Sequence, residues 1–245
     1  MTSKEGNEEA IARSLTQMVL YPLEALKINM QIKKNPKKIY LKAPLTRGII
    51  ASTFTTGISY GTYFNIYNKW NQLMDGNILN ILAPVIASVG SSVIRVPIGN
   101  GMRNIQAGLY PTLTSAIKGI ITNKGVQGLY QGYVPMLLED MIEMELKIKA
   151  YQYLTKCFII ERPITPVEGV CIGAISGSWG AYWTTPFDVL KTHMAIQKNK
   201  SNTLDAFVTI WKDDGIRAFG RGWNIRVIQQ ALKTGVFFGF MEILR

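Results

Sequence analysis

Charge is unevenly spaced along this chain, and the gaps between charges organise it. Three stretches hold no Asp, Glu, Lys or Arg: Gly48–Asn68, Gly76–Ile94 and Gly169–Phe187. A bilayer core takes about 20 such residues in a helix. Three stretches at wide intervals predict an all-α, membrane-embedded bundle rather than one ordinary soluble core. Helices are predicted near 10–34, 48–72, 77–106, 132–158, 166–198 and 222–245, with amphipathic connectors at about 111–123 and 202–214. Gly169, Gly173, Gly177 and Gly180 are spaced as small residues that let helix backbones approach closely in lipid. Ala83, Ala87 and Ser91 repeat that spacing more weakly.

Internal repetition sharpens the picture. Pro22-Leu23-Glu24-Ala25-Leu26-Lys27 and Pro186-Phe187-Asp188-Val189-Leu190-Lys191 share proline, acid, two apolar residues and base. Pro97-Ile98-Gly99-Asn100-Gly101-Met102 keeps the proline and loses both charges, with Arg103 one residue late. A second landmark holds the same period: the segment from Lys124 to Gly132 matches that from Asp214 to Gly222 at an offset of 90, and Arg47-Gly48 fills the slot in the first copy. Two landmarks at matched spacing are a strong repeat signal, and a repeat sets the whole architecture.

These residues resemble the mitochondrial carrier family. Its mark is three copies of Pro-x-acid-x-x-base, each followed by a short helix and an aromatic-base-Gly start to the next long helix. The resemblance covers about residues 10–245 and, within the family, is similar to carriers of S-adenosylmethionine and related amino-acid compounds. It implies one domain over 1–245 with repeats at about 8–74, 75–160 and 161–245, and six tilted transmembrane helices around a cavity with pseudo-threefold symmetry. It also implies a monomer in the mitochondrial inner membrane, or in another organelle's membrane, that moves a small metabolite by alternating access. Proline inside a spanning helix is tolerated when neighbours cover the freed carbonyl, so Pro22, Pro97 and Pro186 are read as kinks that let the odd helices converge.

The resemblance assigns gates to both ends. At the matrix end the acid of one repeat pairs with the base of another. Here Glu24, Lys27, Asp188 and Lys191 remain, while Gly99 and Met102 offer no charge, so at most one pair between repeats is expected. At the cytoplasmic end Glu242 and Arg245 keep the family's charges, and Asn68 and Gln152 replace them in the other copies. Both gates therefore read as thin, which implies a low barrier between states.

Substrate contacts in the family lie at comparable depth on the even helices. Counting forward from the repeat glycines gives Thr55 and Thr56, Glu139 and Asp140, and Gln229 and Gln230, with Ser59, Glu143 and Lys233 one turn deeper. Ionisable residues inside a membrane are costly and face a wet cavity or a partner. Glu139 and Glu143 are i, i+4 and share a face. Exposed in a cavity, Glu139 and Asp140 favour a substrate with a cationic centre; Glu143 could instead be neutralised by Lys147, its own i+4 neighbour. S-adenosylmethionine or a related cationic or zwitterionic compound is the first reading. A nucleotide or deoxynucleotide exchanger, using Lys147, Lys149, Arg226 and Lys233, is the second. A non-transporting scaffold or receptor with the same fold is the third.

Composition removes other classes. Hydrophobic residues make up 47% and aromatic residues 10%, which excludes disorder. Two cysteines, Cys157 and Cys171, and one histidine, His193, cannot form a disulfide framework or a Cys/His zinc site, so no metal and no cofactor is expected. No nucleophile–base constellation appears, so an enzyme is not expected. The net charge of +11 is shared among basic loops. The run Lys33, Lys34, Lys37, Lys38 reads as a solvated loop or an anionic-lipid contact, and no nucleic-acid module accompanies it. Helix starts at Gly48, Gly132 and Gly222, beside Arg47 and Arg221, are the family's cardiolipin sites, with N–H groups suited to phosphate. Met1–Glu9 lacks the pattern of a signal or transit peptide, so any targeting signal is expected to be internal.

Overall fold

A computed structural model describes residues 3–32, 44–74, 82–158, 165–197 and 202–244. These residues form helices α1 (Ser3–Ile32), α2 (Ile49–Leu73), α3 (Ala83–Gln106), α4 (Leu113–Lys124), α5 (Tyr133–Phe158), α6 (Pro166–Ile196), α7 (Thr203–Asp214) and α8 (Trp223–Leu244). Short 3-10 turns, Val126–Tyr130 and Ile216–Gly220, precede α5 and α8. The basic run at 33–38 and Arg245 lie outside the described residues. No strand occurs among the described residues, and the all-α expectation is met.

Local chemistry explains the starts. Thr165 accepts from the Glu168 N–H while the Glu168 carboxylate accepts from the Thr165 N–H, and Pro166 occupies the first turn, where a missing N–H costs nothing. Thr112 and Ser115 form the same reciprocal cap on α4.

The offset of 90 is reproduced by the chain path. α4 and its 3-10 turn map onto α7 and its turn, and the start of α5 maps onto the start of α8, each 90 residues apart. The six longer helices have 22 to 31 residues, about 33–46 Å at the α-helical rise of about 1.5 Å per residue. Among the described residues no helix is long and apolar enough to cross a membrane. Length is not what falls short. Charged side chains within α1, α3, α5 and α8 turn toward a shared cavity and lower the apolar character of the helices that carry them.

α1 packs on α2, α2 on α3, α5 on α6, α6 on α8, and α8 back on α1. Between α3 and α5 the link runs through side chains. Ser92 meets the Tyr133 hydroxyl at 3.2 Å, and Asn100 donates to the carbonyls of Leu129 and Gln131 at 2.7 and 2.8 Å. The helices α1, α3 and α6 each run through their proline, Pro22, Pro97 and Pro186. Proline at 97 frees the carbonyl of Val93, and the Tyr130 hydroxyl donates to it at 3.2 Å. That freed group is covered by a neighbour, as the sequence requires.

The glycines of α6 are close-approach points. A Cβ on Gly173 or Gly177 would lie 3.2 Å from Thr234 or Gln230 of α8, and one on Gly180 would lie 3.0 Å from the Glu143 carbonyl of α5. Gly48, Gly132 and Gly222 have φ of 89, 80 and 77° at the turns before α2, α5 and α8, a region that glycine enters without strain. Each packs on the fifth residue after a proline in another repeat: Gly48 on Met102, Gly132 on Lys191, and Gly222 on Lys27.

Candidate functional site

A cavity of about 1240 Å³ lies between the six longer helices, and each contributes to its wall. Of the contact residues read from the sequence, Glu139, Asp140 and Glu143 of α5 and Gln229, Gln230 and Lys233 of α8 line it. Thr55, Thr56 and Ser59 do not. Thr55 and Thr56 turn back to the carbonyls of Ala51 and Ser52, and Ser59 is buried. Tyr60 is the α2 residue on the wall. The charge-free stretch of α2, up to Asn68, carries hydroxyl and apolar residues on every side, so counting alone could not tell which face turns inward.

An ion network crosses the closed end of the cavity. Asp188, only 1% exposed, receives Lys27 at 3.0 Å, Lys191 at 3.0 Å, Arg226 at 2.9 Å and the Gln31 amide at 2.7 Å. Among the described residues, Lys27–Asp188 is the one pair between motif positions of different repeats. Glu139 is also buried, between Lys191 at 2.6 Å and Arg226 at 3.0 Å. Glu143 is taken by Arg226 at 2.7 Å and by the Thr184 hydroxyl at 3.2 Å, so its i+4 neighbour Lys147 does not neutralise it. Asp140 is the most open of these acids, 43% exposed and paired with Arg95 at 2.6 Å. Glu24 accepts from Gln17, which also reaches Ser52.

Where the second motif lacks charge, apolar packing stands in. Met102 is buried with Tyr21, Ala25, Ile105 and Ala116, joining α1, α3 and α4. Replacing one buried ion pair by well-packed apolar side chains is often neutral or stabilising, because desolvation offsets much of the attraction.

Below the network, three hydrogen bonds close the ends of α1, α3 and α6 in a cycle. Asn29 Nδ2 donates to the Gln106 carbonyl at 3.0 Å, and Asn104 Nδ2 to the Ala195 carbonyl at 3.0 Å. His193 Nε2 meets the Gln31 carbonyl at 3.2 Å. Asn29, Asn104 and His193 each lie seven residues after their proline, and the carbonyls they reach lie nine residues after the next. The closed end is therefore not thin, as motif charges alone implied. Its bonds run to the backbone, and one counter-charge, Glu139, comes from the wall.

At the other end Asn68 is half-buried and Gln152 exposed, with no hydrogen bond between them among the described residues. Glu242 lies in the last turn of α8. Arg221 is held by Asp214 at 3.0 Å, and Lys124 reaches Gln131 at 2.9 Å, so polar contacts already flank the starts of α8 and α5. Sequence reasoning missed Arg13, Tyr60 and Arg95 on the wall. Arg95 carries the signal that would have found it, an isolated charge within a long helix, whereas Arg13 is paired with Glu9 one turn away. Arg13 lies over the rings of Tyr60 and Phe237, 4.5 and 4.8 Å from their centroids, a cation–π arrangement. Among the described residues no group of His, Cys, Asp or Glu could hold a metal ion.

The family model described as Mitochondrial carrier protein matches residues 162–245. A probable S-adenosylmethionine carrier 2, chloroplastic, of Arabidopsis thaliana is 26% identical over 95% of this chain and 70% of its own length. The S-adenosylmethionine carrier 1, chloroplastic/mitochondrial, of the same plant is 27% identical over 93% of this chain and 74% of its own. Human mitoferrin-2 is 24% identical over 96% of this chain and 74% of its own. Members of the matched family are transporters, not enzymes. In its spaced prolines, its 90-residue offset and its walled cavity, as in these matches, the chain is similar to the mitochondrial carrier family.

Proposed function

We propose that this protein carries a small metabolite through the central cavity by alternating access, and that the cargo is S-adenosylmethionine or a related cationic or zwitterionic amino-acid compound. The observation that supports this most is a cavity of about 1240 Å³ whose base is closed by ion pairs and hydrogen bonds that can break and re-form. The six longer helices then span the membrane as three repeats of one domain, with apolar side chains such as Ile50, Phe54, Trp179 and Trp183 facing lipid. The relatives named as S-adenosylmethionine carriers support the cargo, and the mitochondrial inner membrane is the proposed location, with another organelle as the alternative.

The open acid Asp140 is the proposed contact for a cationic centre, which it can meet by exchanging partners with Arg95. Gln229, Gln230 and Lys233 face it from α8. Glu139 and Glu143 act mainly in closure, since cations already occupy them. Cardiolipin at the starts of α2, α5 and α8 and a monomeric state belong to the same reading. A nucleotide exchanger is the second reading, favoured by the cations on the wall.

Uptake into liposomes from a panel of S-adenosylmethionine, basic amino acids and nucleotides tests the proposal. Saturable uptake of the first is expected, reduced about tenfold or more in Asp140→Asn, the loss of one charge-assisted contact. Preference for nucleotides would move the assignment to the second reading. No uptake of any compound by folded protein would overturn transport in favour of a scaffold or receptor.

A further inference from the structure

The cavity wall carries seven cations, Arg13, Lys27, Arg95, Lys147, Lys191, Arg226 and Lys233, against five acids, Glu24, Glu139, Asp140, Glu143 and Asp188. Four of those acids are held by cations, and Glu24 is held by Gln17. Arg226, from α8, takes the carboxylate that Lys147 would otherwise meet one turn away on its own helix. Lys147 and Lys233 line the cavity, half-buried, and among the described residues neither has an ion-pair partner. The charge that acts most on Lys147 is Glu143, already held by Arg226, followed by Lys233 and Arg13, and Tyr60 lies in the field of Lys233, Arg13 and Arg95.

Like charges that share a wall repel, and the acid that acts on Lys147, Glu143, is shared with Arg226. Their cost is recovered when a mobile anion enters between them, in a cavity whose low-dielectric walls strengthen the attraction. We infer that Lys147 and Lys233 form an anion subsite, which takes the carboxylate or phosphate of the cargo while its organic part lies along Tyr60 and Phe237. This rests on the carrier reading for its purpose but not for its chemistry. Arg13 is neutralised by Glu9, so the wall carries a small cationic surplus, which suits a singly or doubly charged group better than a triphosphate. The subsite also gives the cargo a direction, with its anionic end at Lys147 and Lys233 and a cationic centre toward Asp140.

Matched compounds that differ by one acidic group provide the test: S-adenosylmethionine against its decarboxylated form, lysine against cadaverine, and AMP against adenosine. Each is titrated against the purified chain while its thermal unfolding midpoint is followed. The acidic member of at least one pair is expected to bind about tenfold or more tightly than its partner, the scale of a charge-assisted hydrogen bond. That preference should vanish in Lys147→Gln/Lys233→Gln and persist in Lys147→Arg/Lys233→Arg, which keeps both charges and controls for folding. A preference in the first two pairs assigns the subsite to carboxylate; one in the third assigns it to phosphate. Equal binding within every pair, no binding by any acidic member, or a preference that survives the glutamine variant would overturn the inference. Acid-selective binding without liposome uptake would leave the subsite standing and overturn the transport reading instead.

Discussion

Lys191 on α6 lies 2.6 Å from Glu139 on α5, so a carboxylate of the cavity wall occupies the place that the second motif, with Gly99, leaves without an acid. Glu139→Gln should therefore behave as a closure mutant. It leaves Lys191 and Arg226 short of a counter-charge in a buried setting, where breaking a pair costs about 3–5 kcal/mol. A lower unfolding midpoint in detergent is expected, with partial recovery when Gly99→Asp is added. A glutamine variant as stable as the parent would remove Glu139 from closure.

Asp188 should be the most sensitive acid of the chain. Three cations and one amide converge on it while it is almost wholly buried, so Asp188→Asn strands Lys27 and takes one partner each from Lys191 and Arg226. Its loss is expected to exceed that of Glu24→Gln, whose carboxylate faces an uncharged amide, by about 2 kcal/mol or more. Paired denaturation curves read the difference, and equal losses would contradict it.

Close packing along α6 predicts a graded series. Gly177→Ala places a methyl 3.2 Å from the Gln230 side chain, which can shift, whereas Gly180→Ala presses on the Glu143 backbone at 3.0 Å, which cannot shift as readily. The second should cost more, about 1–3 kcal/mol as overpacking usually does. Thermal unfolding of both variants checks the order.

Lys124, in the connector before α5, predicts a pH dependence. Burial pulls its ammonium down to about 8 from an ordinary 10.5. Below about 8 the group is charged in folded and unfolded chains alike, and the desolvation cost is constant. Between about 8 and 10.5 the unfolded chain holds more protons, so stability from this group rises with pH. Lys124→Gln should flatten that rise relative to the parent, as followed by unfolding midpoints across the window. The same slope in both proteins would remove Lys124 from the account.

Much of this architecture was legible before any coordinates. The helices fall close to where the uncharged stretches and the glycine spacing put them, and the offset of 90 reappears in the chain path. Cavity residues on α5 and α8 were legible because they lie at a fixed count after the repeat glycines and carry charged or amide groups. Partner choice was not. Glu143 and Lys147 are ideal neighbours on one helix, yet Arg226 wins from α8, and no local rule anticipates a partner 83 residues away. Nor does spacing reveal that Met102 stands as core packing, since that depends on Tyr21 and Ala116 from the adjoining helices α1 and α4.

The cycle formed by Asn29, Asn104 and His193 has acceptors that belong to the main chain. A peptide oxygen is present whatever side chain it carries, and here it is supplied by Gln31, Gln106 and Ala195 without regard to their chemistry. Half of the latch is thus immune to substitution, and only the donor positions must be kept. A bundle latched this way can lose motif charges one by one during its history and still shut.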